Sequence, residues 1–405
     1  MATLFFVGQV RKLALLGGIF SVAVKDFLQK LSEASGVSGH EQAIRELVIA
    51  EFRPYADEIS VTTMGSVIAL KRGTRDARSS KDKTPAHKVL IEGHMDEIGL
   101  MVTDIDHGFL RFTQVGGFDV RVLLGQEVVV HGKRALGGII GARPPHVLSA
   151  QEREKVIPMR DLFIDVGMTE DHVRELVQVG DTITIARKMV SLKNNLVAGK
   201  AFDDRSAVVT VAEALRQLST MQHTWDVYAV ANVQEEDGAW FGGAFTSTYQ
   251  VNPDIAVALD VSHADQPNTT EINAVPLNDG MGIARGPNIH PAVHERLVEV
   301  AKANEIPFKV TAYSGATGTN AWAIQVVREG IPTGLIDIPL RYMHTSVETL
   351  SINDLERIGR LMAYFCASLD EKILKELRGE TVGEERTGNS RVNTRKPRKV
   401  SRKRK

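Results

Sequence analysis

Trp225-Asp226-Val227-Tyr228-Ala229-Val230-Ala231-Asn232-Val233-Gln234-Glu235-Glu236 is an apolar run that ends on two adjacent carboxylates. Its Val- and Ala-rich part suits a strand buried on both faces, as in the parallel sheets of α/β proteins. Neighbouring strand residues point to opposite sides, so Glu235 and Glu236 are expected to do different work. One suits a metal and the other a proton. A Glu-Glu pair taken alone is more often the start of a solvated loop, and the rest of the chain decides between the two readings.

The chain of 405 residues is long enough for a large core, and its length predicts two domains plus tails. Hydrophobic content of 43% and charged content of 24% are those of an ordinary soluble globular protein. The single cysteine, Cys366, excludes an internal disulfide and a zinc site built mainly from thiolates, and it falls in an apolar helical pattern. Between Arg391 and Lys405 stand nine Lys or Arg and no acid; set against the net charge of −1, they leave −10 on the remainder. An acidic body with a basic tail is thus expected, the tail being a disordered arm over 378–405 that suits a polyanion such as nucleic acid as well as plain solubilisation.

At the other end, Met1 to Ala23 is apolar but interrupted by Arg11 and Lys12. The apolar part from Leu13 to Val24 is too short to span a bilayer, so no membrane partner is expected. Ser21-Val22-Ala23 resembles a weak signal-peptide cleavage site, but the residues before Arg11 are themselves apolar. The reading preferred is an N-terminal extension over 1–23 on a cytoplasmic protein.

Between the tails the pattern is α/β with a β-rich interruption. Val24, Phe27, Leu28 and Leu31 share one helix face. Ser38 and Glu41 read as a capping box for a second helix with Ile44, Leu47, Val48 and Phe52 inward. Strands are expected around Gly65, at Val89-Leu90-Ile91, before Glu235, from Ile255 to Asp260, and from Thr333 to Ile338. Helices are expected over 206–218, 291–304 and, capped by Ser351, as one piece to Leu377. From 101 to 192, short Val- and Ile-rich runs alternate with glycine pairs and predict a small β-rich insertion.

His94, Asp96, Asp203, Glu235, Glu236, Asp260 and His344 all follow strands or open turns. Each has a plain structural explanation: Asp203 or Asp204 suits a helix cap, Asp260 a loop, and a lone His is usually satisfied structure. In an α/β sheet, however, the carboxyl ends of the strands converge on one crevice. N and O ligands gathered there without sulfur suit Zn²⁺, Co²⁺ or Mn²⁺.

Gly93-His94-Met95-Asp96-Glu97-Ile98-Gly99 and Gly199-Lys200-Ala201-Phe202-Asp203-Asp204-Arg205 resemble motifs of the tetrahedral and glutamyl (deblocking) aminopeptidases, a family some of whose members also carry the name cellulase M. So do Gln234-Glu235-Glu236, Ala258-Leu259-Asp260 and Arg341-Tyr342-Met343-His344-Thr345-Ser346-Val347-Glu348. Each motif is weak alone, whereas the ordered set, over 24–377, is specific. The resemblance implies a mixed-sheet metallopeptidase domain from 24–100 and 193–377, with 101–192 inserted as a PDZ-like oligomerisation domain. It further implies a peptide substrate, two divalent ions and a homo-oligomer, a dodecamer in the family's pattern. His94 and Asp260 would hold one ion, Glu236 and His344 the other, and Asp203 both. Asp96 would orient His94, and Glu235 would be the general base. Asn320 stands where the family commonly has Asp, Gly65-Ser66 replaces a usual Gly-Asn turn, and the stretch after Glu236 is longer and lacks an Arg. The competing readings are a glycoside hydrolase, which needs a carboxylate pair free of metal, and a non-catalytic assembly or nucleic-acid-binding protein.

Overall fold

The computed structural model describes residues 22–74, 86–237, 242–270 and 272–379. The basic tail beyond 379, most of the extension 1–23 and the polar loop 75–85 lie outside these described residues. An eight-stranded sheet runs in the order Glu58–Val61, Val67–Lys71, Asp226–Asn232, Lys88–His94, Ile255–His263, Thr333–Leu340, Met281–Arg285, Phe308–Ala312. Its four central strands, from Asp226–Asn232 to Thr333–Leu340, are parallel, so their carboxyl ends share one edge. Antiparallel pairing of Val67–Lys71 and of Met281–Arg285 makes the sheet mixed.

Both faces of the central strands are covered, which explains runs that are apolar without alternation. Val89 and Ile91 face one core with the helices Phe202–Leu218 and Ile352–Ala367, while Leu90 faces a second core with Gly243–Val251 and Asn320–Ile324. Leu355, Ile358, Leu361, Met362 and Phe365 of the Ile352–Ala367 helix are fully buried, each contributing roughly 1.5–3 kcal/mol by burial. Cys366 is buried beside them. That helix ends at Ala367 and a second runs from Glu371 to Leu377, so the piece expected to be continuous is two helices. Asp370 caps the second by accepting from the Lys372 and Ile373 N–H groups. The described part of the first helix, 22–33, takes in Val22 and Ala23, residues expected to lie in the extension.

A closed barrel of six strands, Gly99–Asp106, Phe109–Val115, Phe163–Asp165, Ala135–Gly141, Glu127–His131 and Thr182–Ile185, stands beside the sheet. It has its own apolar core, including Leu100, Leu110, Val130, Ile164 and Ile183. Val190–Ser191 is outside the barrel, in a three-stranded sheet with Leu196–Gly199 and Glu348–Ser351. Among the described residues no helix is long and apolar enough to cross a membrane.

Candidate metal centre

The parallel strands deliver the candidate residues to their common edge. His94 is the last residue of Lys88–His94, with Asp96 two positions on; Asp260 lies inside Ile255–His263, not at its end as expected. His344 follows Thr333–Leu340, and Asp203 sits in the first turn of Phe202–Leu218, where it and Asp204 have non-helical φ/ψ. Glu235 and Glu236 are not strand residues: the strand stops at Asn232, and Gln234, at φ +59°, turns the chain before them. A turn, and not strand alternation, therefore separates their directions. Ala201, Gln234, Tyr342 and His344 all have φ between +55° and +61°. Non-glycine residues held so cost of order 1–3 kcal/mol each and gather at functional sites.

Donor atoms of His94, Asp203 and Asp260 lie within 4.8 Å of one another, as do those of Asp203, Glu236 and His344. Asp203 belongs to both groups. Its Oδ1 is 3.4 Å from His94 Nε2 and its Oδ2 is 3.2 Å from His344 Nε2, which is also 3.5 Å from Glu236 Oε2. Ligands held about 2.1 Å from a tetrahedral zinc ion sit roughly 3.4 Å apart. Glu236 Oε1 is buried with no hydrogen-bond partner, and among the described residues no Lys or Arg pairs with these carboxylates. Two sulfur-free donor groups sharing one carboxylate fit divalent cations. Glu235 belongs to neither group; its Oε2 lies 3.8 Å from His94 Nε2.

The profile of the M42 glutamyl aminopeptidases matches residues 66–361. The chain belongs to the M42 glutamyl aminopeptidase family. This family is metal-dependent, and the chain is accordingly a peptide hydrolase of the aminopeptidase class. The lysyl aminopeptidase of Pyrococcus furiosus is 34% identical over 344 residues, covering 83% of this chain and 94% of that protein. A crystal structure of a TET aminopeptidase from a marine sediment thaumarchaeon superposes with a TM-score of 0.81 at 35% identity, covering 88% and 99%. The TET1 peptidase of Pyrococcus horikoshii, which can assemble into a tetrahedron or a large octahedral shell, gives a TM-score of 0.74 at 31% identity, covering 85% and 100%.

In this M42 peptidase the electrostatics of the cluster follow from burial. Burial pushes the Glu235 carboxyl up to about 7, with Asp96 and Asp203 adding and His94 opposing. Glu236 is pushed well above the carboxylate range by burial and then by Asp203, and Asp260 by burial and then by Glu235. Burial works against ionised Asp203 too, but hydrogen bonds from His344 and His94 hold it below its ordinary value. A divalent cation would reverse the upward shifts, since nearby positive charge favours the ionised carboxylate.

Around the cluster, backbone N–H groups of the M42 site are held by carboxylates. Asp96 lies 3.3 Å from His94 Nδ1 and accepts from the N–H of Glu235 at 3.2 Å and of Glu236 at 3.0 Å. Buried Ser38 donates its hydroxyl to Asp96 Oδ2 at 2.6 Å, and Glu41 accepts from the N–H groups of Gly39 and Gln234. The expected capping box is therefore absent: Glu41 is the N-cap residue of the Gln42–Phe52 helix and gives it no side-chain cap, because Ser38 is turned to Asp96 and Glu41 to Gly39 and Gln234. Glu348 accepts from the N–H groups of Phe202, Asp203 and His344, tying two donor-bearing segments together. Nothing local in the sequence signals Ser38, Glu41 or Glu348 for these tasks, as the partners Asp96, Gln234 and Phe202 are distant in the chain. Asn320 and Asn232 donate to buried Glu92 at 2.9 and 2.7 Å. Burial raises Glu92 to about 7, and an Asp at 320 would bring a second carboxylate against it.

Proposed function

We propose that the chain removes N-terminal residues from peptides through a water activated by two divalent ions, with Glu235 as general base. The observation that carries this reading is the sharing of Asp203 by two three-residue donor groups. In the proposed assignment His94 and Asp260 would hold one ion, Glu236 and His344 the other, Asp203 would serve both, and Asp96 would orient His94. Zn²⁺, Co²⁺ and Mn²⁺ all suit such nitrogen and oxygen donors. When bound, the pair supplies positive charge that polarises a scissile carbonyl and acidifies a water. Glu235, beside both groups but a member of neither, takes the water's proton and delivers it to the leaving amine.

The barrel, with its separate core, is proposed as the PDZ-like assembly domain, and the functional particle as a homo-oligomer of the dodecameric kind. The TET1 assemblies support this. The decisive experiment is release of free amino acids from short peptides by the full chain, with metal content measured alongside. Activity should vanish with a chelator and return with Co²⁺ or Zn²⁺. Peptide hydrolysis that persists with no bound metal would overturn the reading.

A further inference from the structure

The barrel reaches the candidate metal centre through the loop that follows its Phe109–Val115 strand. There the Gly117 backbone faces the His344 ring, its carbonyl favouring a proton on the imidazole. Nδ1 is the nitrogen on that side: a Cβ placed on Gly117 would lie 3.3 Å from His344 Nδ1 and 3.5 Å from Cε1. Nε2 points the other way, to Asp203 Oδ2 at 3.2 Å and Glu236 Oε2 at 3.5 Å. The imidazole is thus suspended between the barrel and the carboxylates. A proton held on Nδ1 by the carbonyl leaves the Nε2 lone pair free toward the donor group.

The two glycines of this loop have different reasons to be glycine. Gly116 has φ +79°, and a Cβ there would also approach Ile98 Cγ2 to 2.6 Å and the Glu236 carbonyl oxygen to 3.1 Å. Gly117 is not among the residues with positive φ, so backbone conformation does not call for glycine. A side chain there would press on the edge of the His344 ring, tight by a few tenths of an ångström.

We infer that the Gly116-Gly117 loop of the barrel is a positioning element for His344, setting the tautomer and the tilt with which Nε2 meets Asp203 and Glu236. The barrel thereby forms part of the wall of the site, and its seating on the sheet bears on a metal donor. This inference rests on the two-ion reading above.

The test is calorimetric titration of metal-free full-length protein with Co²⁺, using wild type, Gly117→Ala, His344→Ala and the double variant. Gly117→Ala keeps the carbonyl but sets a methyl 3.3 Å from Nδ1, so the ring must tilt. One of two binding events should weaken, by less than the roughly 10–100-fold that follows outright loss of a partner behind a metal-bound histidine. The other event should stay as in wild type. In the His344→Ala background Gly117→Ala should add nothing, because a residue that acts only through a removed partner has no further effect. Gly137→Ala, at a barrel glycine with no atom within 4 Å of its Cβ position, should leave both events unchanged. Unchanged affinities in Gly117→Ala, or an equal loss with and without His344, would overturn the inference. A wild type that binds fewer than two ions overturns the two-ion reading instead, which separates the two failures. Should Gly117→Ala not fold, zinc-loaded wild type labelled with ¹⁵N-histidine carries the test. The His344 Nδ1–H proton, assigned by its loss in His344→Ala, should be shifted downfield and protected from exchange by the Gly117 carbonyl, and a proton that exchanges freely with solvent overturns the inference.

Discussion

Replacing Glu235 by Gln and, separately, Glu236 by Gln distinguishes two adjacent acids that stand in different surroundings. Gln keeps the size and one acceptor oxygen but neither accepts a proton near neutral pH nor carries charge. Glu235 lies outside both donor groups, its Oε2 3.8 Å from His94 Nε2. Glu235→Gln is therefore expected to retain both ions. As a positioned base contributes about 10²–10⁴-fold, kcat should fall by that factor, equivalent to about 3–5 kcal/mol of barrier. Glu236 is inside a donor group, with Oε2 3.5 Å from His344 Nε2 and Oε1 buried without a partner. Loss of a residue behind a ligand already costs about 10–100-fold in metal affinity, so loss of this donor should cost at least the upper figure. The assay pairs metal content after gel filtration with kcat on an aminoacyl p-nitroanilide. Wild-type turnover in Glu235→Gln, or metal loss equal to that of Glu236→Gln, would refute the division of labour.

Two further outcomes follow from buried groups. Ser38→Ala removes the 2.6 Å hydrogen bond to Asp96 while leaving the two backbone donors in place; Co²⁺ affinity should drop by about tenfold, and an unchanged affinity by calorimetry would show that Ser38 does not act through Asp96. Asp337 accepts from the hydroxyls of Thr311 and Tyr313, and burial raises it from 3.8 to about 6. Between those values the folded chain keeps a proton that the unfolded chain releases, so stability is highest below this window and falls as pH rises through it. The shift corresponds to about 3 kcal/mol; Asp337→Asn should flatten the fall of the thermal midpoint from pH 4 to 7, and an identical slope in the variant would exclude Asp337 as its source.

The elements that position the site are legible where a pattern is local. Val89-Leu90-Ile91 reads as a strand because it must be apolar on both faces, and the helix face of Val24, Phe27, Leu28 and Leu31 is buried as its spacing demands. The seven acids and imidazoles could be collected because the patterns predict them at strand ends or open turns. In the structure they lie together on one sheet edge, with Asp260 inside its strand and Asp203 in the first turn of a helix. The sequence by itself therefore determined the alternation of strands and helices and the chemistry offered at the strand ends. What tertiary structure decided is which polar group each residue meets. Ser38 and Glu41 satisfy a local capping rule, yet buried Asp96, 58 positions away from Ser38, needs a donor, and the turn at Gln234 needs an acceptor. A charged acceptor in a dry interior forms the stronger hydrogen bond and draws Ser38 to Asp96, while Glu41 keeps the N-cap position but gives its carboxyl oxygen to Gly39 and Gln234. Glu348, 146 positions from Phe202, and Gly117, whose neighbour His344 comes from another sheet, were illegible for the same reason. Their partners are set by how the barrel and the small sheet fold back onto the strand ends, a contact that no spacing in the chain encodes.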